Sequence, residues 1–209
     1  MSIKIVIVDY NMGNVRSVAN MLRRIGVTPL ISSKISDILS ADKIILPGVG
    51  SFDTGMGYLQ KLGLISPLNQ RVLVDKVPLL GICLGMQLLA NKSEEGRLPG
   101  LGWIDGVIRK FSFKHLQSSR LKVPHMGWNV VDPRKRHVIL NNIPEPMRFY
   151  FVHSYYYTCD SEDHILAQTE YGCRFISIVH MDNIIGCQFH PEKSHKYGQQ
   201  MLKNFVELT

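Results

Sequence analysis

Apolar residues in the first half of the chain fall into two alternating patterns. Three short, continuous apolar runs predict buried strands, at residues 3–9, 43–46 and 78–82. Three stretches with apolar residues three or four positions apart predict amphipathic helices, at residues 15–25, 56–60 and 86–90. Buried strands that alternate with helices are typical of an α/β fold in which helices flank a mostly parallel, doubly wound sheet.

The second half of the chain, from about Trp103, is richer in patterns typical of antiparallel sheets. Apolar and polar positions alternate in three stretches, at residues 107–113, 147–157 and 175–179. Residues 180–184 predict a hairpin turn and 198–208 a final helix. No linker, internal repeat or low-complexity segment divides the chain, so we predict a single domain over residues 1–209, with additional antiparallel strands in its second half.

Composition argues against several classes of protein. No apolar stretch approaches the roughly 20 residues needed to span a bilayer, and residues 1–9 resemble a buried strand more than a secretion signal. The cysteines lack the C-x-x-C spacing of zinc sites and show no disulfide framework; they are Cys83, Cys159, Cys173 and Cys187. We therefore expect a cytoplasmic protein without a metal and without a membrane partner.

The charge balance raises the question of nucleic-acid binding. The chain has 24 Lys and Arg against 17 Asp and Glu, a net charge of +7. The basic residues are scattered, however, and only residues 134–136 form a short basic run. No DNA- or RNA-recognition module is evident, so we expect no nucleic-acid partner. A solvated basic surface is the simplest explanation, and a docking face for an acidic partner is the alternative.

The strongest chemical pattern is G-x-C-x-G at residues 81–85, directly after an apolar run. This is the cysteine form of a nucleophile elbow, in which the nucleophile stands at a sharp turn between a strand and a helix. At that position Cys83 faces a helix N-terminus, which favours the thiolate. A buried cysteine with a packing role is the alternative interpretation.

A second pattern lies near the end of the chain, where an apolar run leads into His190-Pro191-Glu192. A histidine at a strand end can act as general base to a thiol, and a nearby carboxylate can orient its ring. His190 and Glu192 alone would fit a surface turn equally well. Together with Cys83 they supply the three groups needed for acyl transfer through a thioester. In a parallel sheet the strand ends meet at one edge, which brings residues 47–48 beside Cys83.

Six segments of the chain together resemble the class I glutamine amidotransferases: residues 9–14, 47–52, 81–87, 124–129, 149–155 and 188–194. Residues 47–50 and 125–129 point to the glutaminase subunits of imidazole glycerol phosphate synthases within that family. The resemblance implies glutamine hydrolysis by a triad of Cys83, His190 and Glu192. The backbone N–H of Leu84 is a natural oxyanion donor.

The resemblance also implies roles for residues around the triad. It places the remaining oxyanion donor on the segment that includes Val49 and Gly50, whose flanking glycines would let the peptide swing. It implies a glutamine pocket formed by Gly48, Gln87, His153, Ser154 and Tyr155. Gln87 also lies one helical turn after Cys83 and so on the same face. Residues expected at a partner interface are His125, Trp128, Tyr150 and Lys193.

A partner is expected because ammonia released into neutral water is mostly protonated and no longer nucleophilic. The chain contains no P-loop and no G-x-G-x-x-G motif, so we expect no cofactor and place the acceptor site on a second polypeptide. The resemblance identifies that partner as a (β/α)₈-barrel cyclase of histidine biosynthesis, in a heterodimer. Asn11 and residues 195–197 depart from the usual pattern and suggest a rival, a glutaminase that supplies ammonia for amidation of a surface-polysaccharide sugar. A stand-alone cysteine hydrolase or peptidase and a non-catalytic binding module are further alternatives.

Overall fold

The computed structural model describes residues 3–113 and 121–208 of the chain. Within these ranges the strands are β1 Ile5–Val8, β2 Leu30–Ser32, β3 Lys43–Gly48, β4 Leu79–Cys83, β5 Lys92–Ser93, β6 Val107–Lys110, β7 His125–Val130, β8 Asp132–Pro133, β9 Arg148–His153, β10 Tyr155–Thr158, β11 Ile165–Glu170, β12 Arg174–Met181 and β13 Ile184–Cys187. The α-helices are α1 Val15–Arg24, α2 Ile35–Leu39, α3 Phe52–Lys61, α4 Ile65–Asn69, α5 Leu84–Gln87 and α6 His195–Glu207.

One large sheet has a parallel half and an antiparallel half. Strands β2, β1, β3, β4 and β13 are adjacent in that order and parallel. Beyond β13 the sheet continues through β12, β10 and β6 in antiparallel pairs, and β11 also pairs with β12. Strands β7 and β9 form a separate two-stranded sheet. The predicted α/β fold, with antiparallel strands added in the second half, is confirmed.

Alternate residues of the parallel strands point to opposite faces, and each face is covered by different helices. Ile5 and Ile7 of β1 lie in one apolar core with buried side chains of α1 and α6. Val6 and Val8 lie in a second core with side chains of α3 and α5. Because these strands are buried on both faces, they appear in the sequence as continuous apolar runs. None of the helices in the described part of the chain is long and apolar enough to cross a membrane.

The helix after Cys83 is much shorter than the apolar spacing predicts. A helix was expected over residues 86–90, but α5 is a single turn that ends at Gln87. The carbonyl groups of residues 88–90 accept hydrogen bonds from backbone N–H groups of residues 101–104. These carbonyls bind a distant loop instead of continuing a helical ladder, which only the folded chain reveals.

The predicted convergence of strand ends is present. Gly48 at the end of β3 is in register with Cys83 at the end of β4. On the other side of β4, Ile82 is in register with Cys187, the last residue of β13. The segment that follows β13 therefore begins beside the cysteine, and it leads to His190 three residues later.

Candidate active site

Cys83 occupies a strained turn between β4 and α5. Its backbone has φ 54° and ψ −109°, a conformation that costs a residue with a side chain about 1–3 kcal/mol. The glycines on either side permit the turn, because a Cβ on Gly85 would overlap the carbonyl oxygen of Leu46. A Cβ on Gly81 would lie only 2.8 Å from the carbonyl oxygen of Gly85. The strand–turn–helix geometry of a nucleophile elbow is therefore built around this cysteine.

His190 and Glu192 form a buried pair. Nδ1 of His190 lies 2.8 Å from Oε1 of Glu192, and both side chains are only 2% exposed. Ser194 holds the turn by donating from Oγ to the carbonyl of His190 at 2.6 Å. Nε2 of His190 is buried without a well-formed hydrogen bond in the described part of the chain, and the ring interacts with Cys83.

The charge state of His190 follows from these neighbours. Burial on its own lowers the pKa of His190, but the interactions with the Cys83 sulfur and the Glu192 carboxylate outweigh it and raise the pKa to about 10. The ring therefore keeps a proton at neutral pH when both neighbours are anionic. This is the arrangement in which a histidine stabilises an anionic sulfur.

A pocket of about 320 Å³ opens beside Cys83. It brings together many residues that the sequence places at the site: Val49, Gly50, Cys83, Leu84, Gln87, His153, Ser154, Tyr155 and His190. Gly48 does not line it but lies behind the wall, where a Cβ would overlap the Tyr10 hydroxyl and come within 2.8 Å of the Leu84 Cβ. The close packing at this position therefore requires glycine.

The segment after β3 forms one wall of the pocket. Val49 is exposed, and Gly50 has φ 104°, a backbone conformation that residues with a Cβ rarely adopt. A Cβ on Gly50 would also lie 2.8 Å from Cε of Met12. Both residues line the pocket beside Cys83, and the family resemblance predicts an oxyanion donor on this segment.

Two polar residues near Cys83 were not predicted as site residues from the sequence. Glu95 lines the pocket, and its Oε2 accepts a hydrogen bond of 2.8 Å from the N–H of Phe52 at the start of α3. Gln188 is fully buried, and its Nε2 lies 3.7 Å from the Cys83 sulfur. Gln188 could have been identified from the sequence, because it is a polar residue within the apolar run before His190. No pattern in the sequence distinguished Glu95 from its neighbours.

The His125 side chain is buried, whereas the sequence was expected to place it at a partner interface. The side chain is 3% exposed and stacks between Phe151 and Tyr171, with ring centroids 4.9 and 4.0 Å away. Its Nδ1 lies 3.0 Å from Nε2 of His153. Burial lowers the pKa of His125 to about 4, and burial is also the main reason why the pKa of His153 falls to about 3. Pairing of β7 with β9 directs this side chain inwards.

The other three residues expected at an interface lie near one another at the surface. Trp128 is 39% exposed and its ring is 6.3 Å from that of Tyr150. Lys193 lies over the Tyr150 ring at 5.9 Å. Trp128 also stacks on His195, with ring centroids 5.5 Å apart and planes 3° from parallel. An exposed aromatic cluster of this kind is typical of protein interfaces.

Comparison with known proteins agrees with this geometry. A family model described as "Glutamine amidotransferase class-I" matches residues 6–208. A Pseudomonas aeruginosa protein named "Imidazole glycerol phosphate synthase subunit HisH 2" is 51% identical over 205 residues, covering 98% of this chain and 100% of that protein. A Methanococcus maripaludis protein of the same name is 52% identical over 203 residues, covering 97% of this chain and 98% of that protein.

Solved structures of lower identity share the fold. A putative GMP synthase protein from Thermoplasma acidophilum has a TM-score of 0.72 at 20% identity, covering 99% of this chain and 94% of that one. A structure of PurLQS from Thermotoga maritima has a TM-score of 0.71 at 18% identity, covering 99% of each chain. Since the family model matches nearly the whole chain, the chain belongs to the class I glutamine amidotransferase family.

Proposed function

We propose that this chain is the glutaminase subunit of an imidazole glycerol phosphate synthase, which hydrolyses glutamine and passes ammonia to a cyclase subunit for histidine biosynthesis. The observation that carries the chemistry is a cysteine at a strained elbow, in one pocket with a histidine that a buried carboxylate holds at 2.8 Å. The names of relatives that are 51% and 52% identical over nearly the whole chain support the assignment to this synthase.

The reaction follows from the three side chains. The Cys83 sulfur attacks the carboxamide carbon of glutamine, and His190 holds the proton that the thiol gives up. The tetrahedral oxyanion accepts hydrogen bonds from the Leu84 N–H and from the peptide segment that includes Val49 and Gly50. When the C–N bond breaks, His190 gives its proton to the departing nitrogen and ammonia leaves. Water then cleaves the thioester, which releases glutamate and restores the thiol.

The pocket also contains groups that suit the rest of the substrate. Glu95 supplies a carboxylate to the pocket wall, and only its Oε2 is engaged by the N–H of Phe52. Its other oxygen suits the α-ammonium group of glutamine. Both hydrogens of the Gln87 amide donate to protein acceptors, so its carbonyl oxygen is the part left to face a substrate donor.

A partner subunit is part of this proposal because ammonia must reach an acceptor before it is protonated by water. The exposed side chains of β7 provide a docking face: Met126, Trp128 and Val130 all point outwards from alternate positions of the strand. Tyr150 and Lys193 adjoin Trp128. We place the cyclase on this surface, and we place the protein in the cytoplasm, where its four free cysteines would stay reduced.

Asn11 departs from the usual family pattern, but this departure gives little support to the rival function in polysaccharide amidation. Asn11 has φ 64°, the left-handed conformation in which asparagine is the best tolerated replacement for glycine. The exchange therefore preserves the backbone of the first loop. His195 differs in that it stacks on Trp128 within the proposed docking face, where a change of partner would act. Complementation of a histidine auxotroph that lacks the glutaminase subunit separates the two pathways.

The proposed function is tested with a Cys83→Ala variant in a complex with the cyclase subunit. We expect glutamine-dependent formation of imidazole glycerol phosphate to be lost, while formation from added ammonium salt stays at the wild-type rate. Loss of both activities would assign Cys83 a structural role. Retention of glutamine-dependent synthesis would show that a different group attacks the substrate.

A further inference from the structure

A buried amide lies against the sulfur of the proposed nucleophile. Nε2 of Gln188 donates to Sγ of Cys83 at 3.7 Å, and Gln188 is fully buried. We propose that Gln188 is a catalytic residue whose amide N–H stabilises the anionic sulfur, and that a hydrogen-bonded chain of side chains fixes the direction of this amide. The inference rests on the proposed function in one respect, namely that Cys83 is the nucleophile.

The direction of the Gln188 amide is determined by a carbonyl group that can only accept. The carbonyl oxygen of Tyr155 lies 3.1 Å from the side-chain nitrogen of Gln87, so this nitrogen must be the donor. The same nitrogen lies 3.0 Å from Oε1 of Gln188. With its oxygen accepting from Gln87, the Gln188 amide presents its nitrogen, and hence an N–H, to the sulfur.

The same carbonyl fixes the two histidines behind the pocket. Nδ1 of His153 lies 2.7 Å from the Tyr155 carbonyl oxygen and must carry the proton. In a neutral ring Nε2 of His153 then accepts, so Nδ1 of His125, 3.0 Å away, must donate. Nε2 of His125 accepts in turn from the amide of Asn129 at 3.3 Å. Both rings are therefore neutral and carry their proton on Nδ1.

The chain ends at fully engaged backbone groups. The Asn129 amide nitrogen also donates to the carbonyl of Glu170 at 2.9 Å, and its Oδ1 accepts from the N–H of Val130 at 2.8 Å. Reversal of any one amide or ring would oppose two donors or two acceptors at the next contact, with a loss of about 1–3 kcal/mol for each buried group left unpaired. The Tyr155 carbonyl therefore fixes two separate branches, Gln87 and Gln188 on one side and His153 and His125 on the other, and the direction of the Gln188 amide depends on the first branch alone.

This donor fits the local need for charge stabilisation at the sulfur. The helix behind Cys83 has only four residues, so few aligned peptide dipoles face the sulfur. A side-chain N–H aimed at the anion supplies what a longer helix would provide. Met is similar in size to Gln but has no N–H donor. A Gln188→Met change therefore removes the hydrogen bond to Cys83, together with the one that Gln188 accepts from Gln87, with little change in packing.

The test measures the rate at which iodoacetamide alkylates Cys83 in the full chain, with peptide mapping to separate Cys83 from the other cysteines. In Gln188→Met we expect alkylation at neutral pH to slow roughly tenfold, because a hydrogen bond to a charged group is lost. Ser177→Ala is the matched control: Ser177 is equally buried, its carbonyl accepts from the N–H of Gln188, and its hydroxyl has no hydrogen-bond partner in the described structure. We expect it to react at the wild-type rate.

The outcomes separate this inference from the proposed function. Equal alkylation rates in wild type and Gln188→Met would overturn the role of Gln188 and leave the nucleophile in place. A wild-type Cys83 that iodoacetamide does not modify would overturn both. If the variant does not fold, the ¹H–¹⁵N signals of the Gln188 side-chain amide in the unmutated protein decide the point: a change in these signals as Cys83 ionises supports the hydrogen bond, and signals that do not respond overturn the proposal.

Discussion

The role of the Glu192 carboxylate can be tested by Glu192→Gln. This substitution removes the negative charge beside His190 and alters its hydrogen bond, with hardly any change in the shape of the side chain. Nδ1 of His190 donates to Oε1 at 2.8 Å, and both side chains are 2% exposed. A buried hydrogen bond to a charged group contributes about 1.5–3 kcal/mol, which corresponds to roughly a ten- to hundredfold change in rate.

The tautomer of His190 increases this effect. The second oxygen of Glu192 is buried and has no partner in the described structure, so an amide nitrogen in its place would also lack an acceptor. If the amide turns over to avoid this, it donates to Nδ1 and forces the proton onto Nε2, which then cannot accept the proton of Cys83. A corresponding change in a serine protease triad lowers kcat about 10⁴-fold for this reason. We therefore expect a fall in kcat between roughly 10² and 10⁴.

The assay is glutamine hydrolysis in the reconstituted complex with the cyclase subunit. KM for glutamine should change little, since Glu192 does not line the glutamine pocket. Glu207→Gln is a matched control: this carboxylate pairs with Lys203 at 3.9 Å and is 61% exposed. Wild-type kcat in Glu192→Gln would refute the role of Glu192 in orienting His190. A raised KM with unchanged kcat would instead make Glu192 a substrate-binding residue.

Two further predictions concern substrate binding and pH. Glu95→Gln should raise KM for glutamine roughly tenfold with little change in kcat, as expected for loss of one charged contact to the α-ammonium group; an unchanged KM in steady-state kinetics would contradict this role. Burial holds the pKa of His125 near 4 and that of His153 near 3, below the ordinary 6.5. The unfolded chain therefore binds more protons than the folded one, and the free energy of unfolding should fall as the pH drops from 6.5 towards 4, by at most about 1.4 kcal/mol per pH unit for each ring. Urea denaturation at several pH values should show a shallower dependence in His125→Phe, and an identical dependence would show that the ring is not buried neutral.

The features that the sequence predicted well depend on residues that lie close together in the chain. The elbow depends on glycines within two residues of Cys83, and His190 lies two residues before the carboxylate that it contacts. Buried parallel strands appear as continuous apolar runs because both faces are covered. In each case the cause of the structure lies within a few residues, so the pattern is visible before folding.

The features that the sequence did not predict depend on contacts between distant segments. His125 turns inwards because β7 pairs with β9, in a register that sets it opposite His153. A one-residue shift in that register would expose the ring, and local sequence does not determine the register. The single turn of α5 likewise results from hydrogen bonds to residues 101–104. Glu95 reaches the pocket through its bond to Phe52, which lies 43 positions away in sequence.

The two sides of the pocket differ in burial and in hydrogen bonding. This difference indicates which side a partner could move most easily. On one side Gln87 and His190 line the pocket, and both are buried and hydrogen-bonded within the protein. Gln87 is held further by its contact with the buried Gln188. On the other side Val49 is exposed, and Gly50, at φ 104°, has no Cβ to restrict rotation of its backbone. A partner that changes activity therefore acts at lowest energetic cost on the oxyanion segment, while the triad and its donors stay in place. Loss of one oxyanion donor slows such reactions by roughly 10² to 10³. If residues 49 and 50 provide such a donor, as proposed, we expect movement of this segment alone to be enough to lower glutamine hydrolysis in the chain without its partner.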